Sequence, residues 1–447
     1  MARNPERAGL DGEREPVGQL GPDPWRLNPA TRAVVAAVTA EGGQARFVGG
    51  CVRDSLLHRI TPGMDIDIAV TETPDRVMAL LAARGIKVVP TGLSHGTVTA
   101  VADGLPHEVT TLRRDTSCDG RHAEVDFTTS FREDAKRRDF TFNALSADLD
   151  GRVYDYFDGI ADLTEGRVRF IGRAMDRIRE DYLRILRFFR FFGRYGIPPA
   201  DPDGLAACAA LAQGLDGLSG ERVRAELLKI LAVDDPVGVL GLMRGARVLD
   251  RVLPESGDLA PLRALVLLET RGLVLPGLDV DPIRRLACAI GAGDADRVRS
   301  LADRLRLSRV QGERLRVLAT DPGPPGGDPA GDPAPWRRMV DARGPAAVVD
   351  GLLLAWALER SAEMRPRAAR SDQWRARLEA TLAWEDRPFP LTGADALARG
   401  LSGPAIGALL ARLRGAWLDD DRTWNRDTAL ARMDAALVRD PSAGDPS

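Results

Sequence analysis

Met64-Asp65-Ile66-Asp67-Ile68-Ala69-Val70 decides how this chain is read. Alternating polar and branched apolar residues over seven positions predict a β-strand. Successive strand side chains point to opposite faces, so Asp65 and Asp67 share one face while Ile66 and Ile68 enter a core. Two carboxylates side by side repel unless a cation sits between them. Mg²⁺ is the expected cation, because it takes hard oxygen ligands together with substrate phosphates. A pair of such ions can activate an attacking hydroxyl and stabilise a departing pyrophosphate. An isolated D-x-D on an edge strand is usually no more than a polar face, so the residues around it carry the decision.

Upstream lies Arg46-Phe47-Val48-Gly49-Gly50-Cys51-Val52-Arg53-Asp54, which reads as strand, glycine pair and helix start. Gly49 and Gly50 let the backbone approach a phosphate closely, and a helix N-terminus offers it free N–H groups. Arg53 can pair with a phosphate oxygen. Downstream, His107-Glu108-Val109-Thr110-Thr111-Leu112 reads as a further strand. Glu108 is there either a third carboxylate beside the pair or a solvent-facing glutamate. Ala45 to Val48, Lys87 to Pro90 and Thr97 to Ala102 also read as strands, with Pro74 to Arg84 a helix between them. Asp103-Gly104 between two strands predicts a hairpin. The outcome is an α/β (α+β) head over residues 28–165.

Beyond Gly166 the pattern turns helical, through Asp176 to Arg194, Glu221 to Val233, Pro236 to Arg244 and Asp281 to Ala292. This predicts an all-α remainder, taken in three stretches, 166–235, 236–390 and 391–439. The Pro/Gly/Asp run at 321–335 reads as a flexible loop, and residues 1–27 and 440–447 as disordered tails. The 447 residues, 44% hydrophobic and 28% charged, suit a multi-domain globular protein. A net charge of -3 does not advertise nucleic-acid binding, although a local basic face can still provide it. The 4 cysteines are dispersed with no C-x-x-C pair, which fits a reducing cytoplasm and argues against a zinc site or disulfide framework. No stretch is long and apolar enough to span a membrane.

On a helical wheel of Asp176 to Arg194, Tyr182, Ile185, Leu186, Phe189 and Phe192 gather on one side. Arg184, Arg187, Arg190 and Arg194 lie opposite, with Asp181 at their edge. Asp181 and Arg184, three apart, are either an intrahelical ion pair or a reader of bases. Cytosine and adenine each carry an exocyclic amine beside a ring-nitrogen acceptor. Asp181 can accept from the amine and Arg184 can donate to the ring nitrogen. Uracil and guanine reverse both groups, leaving buried polar atoms unpaired at a cost of about 1–3 kcal/mol each. Asp139 is a candidate acceptor for a ribose 2′-hydroxyl, or a partner of Arg137 or Arg138. Phe140 and Phe142 read as core.

The strings GGCVRD, DIDIAV, EVTTLRRD and RRDFTFNAL, followed by DYFDGIADLTEGRVRFIG and REDYLRILRFFRF, resemble the class II tRNA nucleotidyltransferase and bacterial poly(A) polymerase family, within the polymerase-β-like nucleotidyltransferase superfamily. The likeness is strong over about residues 45–195 and looser in GARVLDRVLPE and PLTGADALARGLSGPAIGALL. It implies a metal-carrying head, a base-selecting neck (166–235) and an RNA-holding body (236–390) and tail (391–439). By position it implies Asp65 and Asp67 as metal ligands, Glu108 as a supporting carboxylate, and Gly49, Gly50 and Arg53 at the triphosphate. Arg137, Arg138, Asp139 and Asn143 would contact ribose and phosphates, and Asp181, Arg184, Arg187 and Arg190 the incoming base and phosphates. The implied reaction is untemplated addition of CCA from CTP and ATP to a tRNA 3′ end, with the acceptor stem held by the body and tail.

Poly(A) polymerase, CC-only and A-only enzymes share these motifs. A strongly basic C-terminal extension would favour poly(A) polymerase, and Ser442 to Ser447 is not basic. A non-catalytic RNA-binding protein would be expected to lose Asp65 or Asp67. None of the four histidines (His58, His95, His107, His122) stands beside an aspartate in the way an appended phosphohydrolase needs.

Overall fold

The computed structural model describes residues 15–118, 123–271, 275, 278–321, 323–362 and 367–439. Its strands are β1 (Gly18–Gln19), β2 (Ala45–Val48), β3 (Asp67–Val70), β4 (Lys87–Gly92), β5 (Thr97–Ala102), β6 (Leu105–Thr111), β7 (Arg113–Cys118), β8 (Ala123–Phe127), β9 (Ser146–Ala147) and β10 (Arg152–Tyr154). Eight of them form one sheet in the order β1-β10-β9-β2-β3-β6-β5-β4, while β7 and β8 make a separate two-stranded arm. Within the eight-stranded sheet β3 and β6 run parallel, with Asp67 opposite Glu108. Val98, Ala100, Val109, Ile68 and Phe47 fill the core beneath. The turn between β5 and β6 has positive φ at both Asp103 (49°) and Gly104 (78°), the geometry that matches strand twist in a two-residue hairpin.

The strand read at 64–70 is shorter than its alternation suggests. Ile66 and Ile68 are buried and Asp65 exposed, but the ladder begins at Asp67. Asp65 therefore stands just before the strand. The Ile66 carbonyl still accepts from the Glu108 N–H at 3.0 Å, which keeps this approach beside β6.

The expectation of a disordered segment over 1–27 needs correcting for residues 17–27; residues 1–14 lie outside the described residues. Here β1 pairs with β10, and α1 (Pro24–Leu27) buries Trp25 edge-on against Phe47 at 4.8 Å. The Trp25 indole N–H donates to Ser55 Oγ at 2.9 Å. One tryptophan among polar residues anchors a strand that pattern reading passes over. Helices α2 (Pro29–Val38) and α4 (Pro74–Ala83) pack on the sheet, and α3 (Gly50–Leu56) follows β2 directly. Gly49 caps α3 at φ 72°, ψ -123°, a conformation open essentially to glycine.

Further along come α5 (Phe131–Lys136), α6 (Gly159–Thr164), α7 (Ala174–Glu180), α8 (Leu183–Tyr195), α9 (Pro202–Ala210) and α10 (Gly220–Leu231). The single helix read over Asp176 to Arg194 is in fact two. Asp181 is extended at φ -156°, ψ 108°, and its side chain accepts from the Leu183 N–H, so it interrupts one helix and starts the next. Phe188 and Phe191 of α8 join Phe140, Phe142 and Phe170 in one aromatic cluster, with centroids 4.7 Å apart for Phe140–Phe170 and 5.4 Å for Phe140–Phe191. Tyr195 closes it by donating to Asp54 at 2.8 Å. Helix α8 is thus packed into the same unit as the sheet.

The chain divides into two units after Val252. Residues 236–252 therefore belong to the first unit, whereas the expected body began at 236. The second unit is helical from Ala260–Thr270 to Arg426–Arg439. Buried ion pairs link its helices: Arg284 to Glu269 (2.7 Å) and Asp350 (2.9 Å), and Arg285 to Glu269 (2.6 Å). The flexible loop expected at 321–335 is irregular but tied down. Arg377 donates to the Pro329 carbonyl at 3.0 Å, Arg370 pairs with Asp328 at 2.6 Å, and residues from Ala334 onward are helical. Residue 322 and the tail 440–447 lie outside the described residues. No described helix is long and apolar enough to cross a membrane.

Gly49→Ala should destabilise the first unit by about 1–3 kcal/mol, because alanine strains at this φ and ψ. Thermal unfolding of the variant, compared with Gly104→Asn in the hairpin turn as a tolerated control, measures it.

Candidate active site

A polar cavity of about 490 Å³ opens in the first unit between the Gly49 turn and α8. Gly49, Gly50, Arg53, Asp67, Arg137, Arg138, Asp139, Asn143, Asp181, Arg184, Arg187 and Arg190 all line it. Residues spread over 142 positions, from Gly49 to Arg190, are thereby collected around one space. Asp65 and Glu108 are not among the lining residues, but both act electrostatically on Asp67. Burial pushes the Asp67 carboxyl up to about 6, reinforced by Glu108 and Asp65 and opposed by Arg138. Asp67 with two further carboxylates close enough to raise its proton affinity is the kind of donor set a hard divalent cation takes. Among the described residues, no three such side chains already close on a common point. A bound ion would thus be completed by substrate oxygens and water, as is usual for Mg²⁺ beside phosphates.

The arginines are held by acids and carbonyls. Asp134 on α5 accepts from Arg137 at 2.8 Å and Arg138 at 3.2 Å. Burial alone would raise the Asp134 carboxyl, but those two guanidinium groups hold it below the ordinary aspartate value. Arg53 pairs with its neighbour Asp54 (2.9 Å), donates to Asn143 Oδ1 (2.7 Å) and stacks over Tyr195 at 4.5 Å. Its side chain is buried, yet it still lines the cavity.

Asp139 is engaged by three partners within the protein. Its Oδ1 accepts from the Phe140 N–H and Asn143 Nδ2, both at 2.9 Å, and its Oδ2 accepts from Arg187 at 2.6 Å. Burial would push this carboxyl up, yet Arg187, Asn143 and the Phe140 amide hold it low. Asp139 thereby ties Asn143 and Arg187 together beside the cavity. It does not pair with Arg137 or Arg138, the side chains foreseen for it.

Asp181 and Arg184 line the same wall and are joined by a backbone hydrogen bond, Arg184 N–H to the Asp181 carbonyl at 3.0 Å, but their side chains do not pair with each other. Asp181 Oδ2 accepts from Arg222 Nη2 at 2.7 Å. Arg184 Nη1 donates to Glu180 Oε2 at 2.5 Å and to the Arg177 carbonyl at 2.9 Å, and its Nη2 to the Arg137 carbonyl at 3.2 Å. Arg190 pairs with buried Glu226 at 2.7 Å. Glu180, Arg222, Glu226 and Asp134 are the functional neighbours that sequence reading missed. The only signal was charge at positions 222 and 226, one turn apart on α10, a helix whose other face is apolar.

The chain's residues 45–169 match the family model described as the poly A polymerase head domain, and 201–258 the model described as the probable RNA and SrmB-binding site of polymerase A. It is 36% identical over 407 residues to the CCA tRNA nucleotidyltransferase 1, mitochondrial, of Mus musculus, covering 88% of this chain and 86% of that protein. A CCA-adding enzyme of Lactiplantibacillus plantarum is 39% identical over 245 residues, or 54% of this chain and 58% of that protein. In fold it is similar to the Bacillus stearothermophilus CCA-adding enzyme solved in complex with CTP, with a TM-score of 0.67 at 24% identity over 93% of this chain and 100% of the other.

The raised Asp67 carboxyl has a consequence for the metal-free protein. Below the unfolded aspartate value of 3.8, Asp67 is protonated in both states and no deficit exists. As pH rises through about 6 the folded chain must carry the extra charge, and stability falls. Asp67→Asn should therefore stabilise the metal-free protein at pH 8 by about 1–3 kcal/mol and should not do so at pH 4. Denaturant unfolding at the two pH values in a chelator checks this, and an equal effect at both would contradict it.

Proposed function

The chain belongs to the class II CCA-adding tRNA nucleotidyltransferase family, and from that premise we propose that it extends tRNA 3′ ends with C and A from CTP and ATP. The observation that carries the reading is one cavity lined both by Asp67, beside two further carboxylates, and by Asp181 and Arg184 on the neck.

In the reaction the terminal 3′-hydroxyl attacks the α-phosphate of the nucleotide and pyrophosphate leaves. We assign Mg²⁺ to Asp65 and Asp67 with Glu108 in support; when bound it would lower the pKa of the attacking hydroxyl and neutralise the leaving pyrophosphate. Arg137 and Arg138, at the cavity edge, neutralise the triphosphate oxygens, and the N–H groups behind Gly49 add to them. Asp181 keeps a lone pair on each oxygen for an exocyclic amine. Arg184 keeps its Nε–H and one Nη2–H, after its contacts to Glu180 and two carbonyls, for a ring nitrogen. Asp139 and Glu226 hold Arg187 and Arg190 in place on the same wall. These roles, the division into head, neck, body and tail, and a cytoplasmic location are proposals; the mouse relative is named as mitochondrial.

Purified protein incubated with Mg²⁺, tRNA lacking its terminal CCA and each labelled NTP should yield CCA ends on sequencing. Oligo(A) ends would instead identify a poly(A) polymerase, the name carried by the matched family models. Asp67→Ala should reduce addition by a thousandfold or more, roughly the scale of removing a principal electrostatic contributor, while tRNA affinity stays within about twofold of wild type. Undiminished turnover would remove Asp67 from the metal site. Affinity for tRNA should fall steeply between 50 and 200 mM salt, on the order of a hundredfold for several phosphate contacts; a flat response in a filter-binding titration contradicts a phosphate-gripping face.

A further inference from the structure

Asp181 and Arg184 lie three residues apart and carry opposite charges, a spacing at which such side chains ordinarily pair with each other. Paired, they would satisfy one another. Each would then be turned toward the other, and their remaining lone pairs and N–H groups would no longer face a base. In the structure two other charges keep them apart. Glu180 and the carbonyls of Arg177 and Arg137 draw Arg184 to one side. Arg222, reaching from α10, draws Asp181 to the other at 2.7 Å, while the Leu183 N–H fixes its second oxygen at 3.0 Å.

The geometry around Arg222 suits this task. Asp181 sits in the extended break between α7 and α8, so no helical backbone sets the direction of its side chain. One turn further along α10, Glu226 holds Arg190 of α8 at 2.7 Å. The two helices are therefore clamped by a charge-swapped double contact: arginine to aspartate at the break, glutamate to arginine within α8. Arg222 itself lines the cavity and is 40% exposed, whereas Glu226 is 6% exposed. Burial makes the Glu226 end a fixed point, and the Arg222 end an adjustable one.

We propose that Arg222 is a specificity-determining positioning residue: it withholds Asp181 from Arg184 and aims the Asp181 carboxylate at the exocyclic amine of the incoming nucleotide. The proposal rests on the assignment of Asp181 and Arg184 as base readers. Without Arg222, Asp181 turns onto Arg184, and the pocket loses its preference for a base that presents an amine beside a ring acceptor. Because Arg222 touches neither the reacting phosphate nor the attacking hydroxyl, its loss acts mainly on KM for CTP and much less on kcat.

The test is steady-state addition to tRNA lacking its 3′ CCA, with Mg²⁺ and either CTP or UTP, by the full-length chain. Arg222→Ala should lower the CTP-over-UTP ratio of kcat/KM by roughly tenfold or more, through a raised KM for CTP. Arg222→Lys, which keeps a cation, should recover most of the preference, and Arg222→Gln should not. Asp181→Ala in the same assay should lose the preference, and adding Arg222→Ala to it should cause no further loss, because Arg222 acts through Asp181. If Asp181→Ala leaves the ratio unchanged, the base-reading assignment fails and the proposal falls with it. If Asp181→Ala abolishes the preference but both Arg222→Ala and Arg222→Gln retain it, the role of Arg222 alone is overturned. Independent losses in the double variant overturn it as well. Should Arg222→Ala fold poorly in thermal unfolding, Arg222→Gln against Arg222→Lys decides by the same ratio.

Discussion

Parallel pairing of β3 with β6 sets Asp67 directly across from Glu108, with Asp65 just before the strand. Each strand is anchored by a buried apolar face, so the carboxylates cannot separate without lifting Ile68 or Val109 out of the core. The fold thereby stores a repulsion that it does not relieve internally, visible in the raised Asp67 carboxyl. Arg138 offsets part of it and a divalent cation can offset the rest. The Gly49 turn is the complementary device. Its positive φ brings the start of α3 to the same place, where a Cβ on Gly49 would stand 3.7 Å from Asp67 Oδ2 and 3.5 Å from Arg138 Nη1.

The opposite wall poses the reverse problem, since many guanidinium groups converge there. They are spaced by buried or half-buried acids: Asp134 between Arg137 and Arg138, Asp139 on Arg187, Glu180 on Arg184 and Glu226 on Arg190. This explains how a chain of net charge -3 can build a cavity suited to polyphosphate. Charge is arranged locally, and the overall balance says little about it. Fixed guanidinium groups also need little reorganisation when an anion arrives, which is the electrostatic advantage of a preformed site.

The aromatic cluster joins these two walls. Phe140 and Phe142 sit beside Asp139 and Asn143, and the same rings pack against Phe188 and Phe191 of α8. Ring packing of this kind resists sliding, so the distance between the carboxylates and the neck is set by the core. The second unit shows the same habit of burying charge in pairs, through Arg284, Arg285, Glu269 and Asp350. Such pairs are weak contributors to stability and are costly to break singly, so their effect is to hold helices in one arrangement.

Much of this was legible along the chain. Alternation at 64–70 placed Ile66 and Ile68 in the core, Asp103-Gly104 marked the hairpin, and periodicity beyond Gly166 marked the helices, because each depends on residues within a few positions of one another. The break at Asp181, the burial of Trp25 and the tethering of 321–335 were misread: the first because an aspartate can turn its side chain back on the backbone N–H two residues on at almost any helix start, the other two because each involves a partner 30 or more positions away, Ser55 and Arg377. The register that faces Glu108 with Asp67, and the wiring that turns Asp139 inward and parts Asp181 from Arg184, have no local signature. Side-chain pairing across elements is settled by packing and by which buried charge finds which partner, and neither quantity exists until the chain has folded.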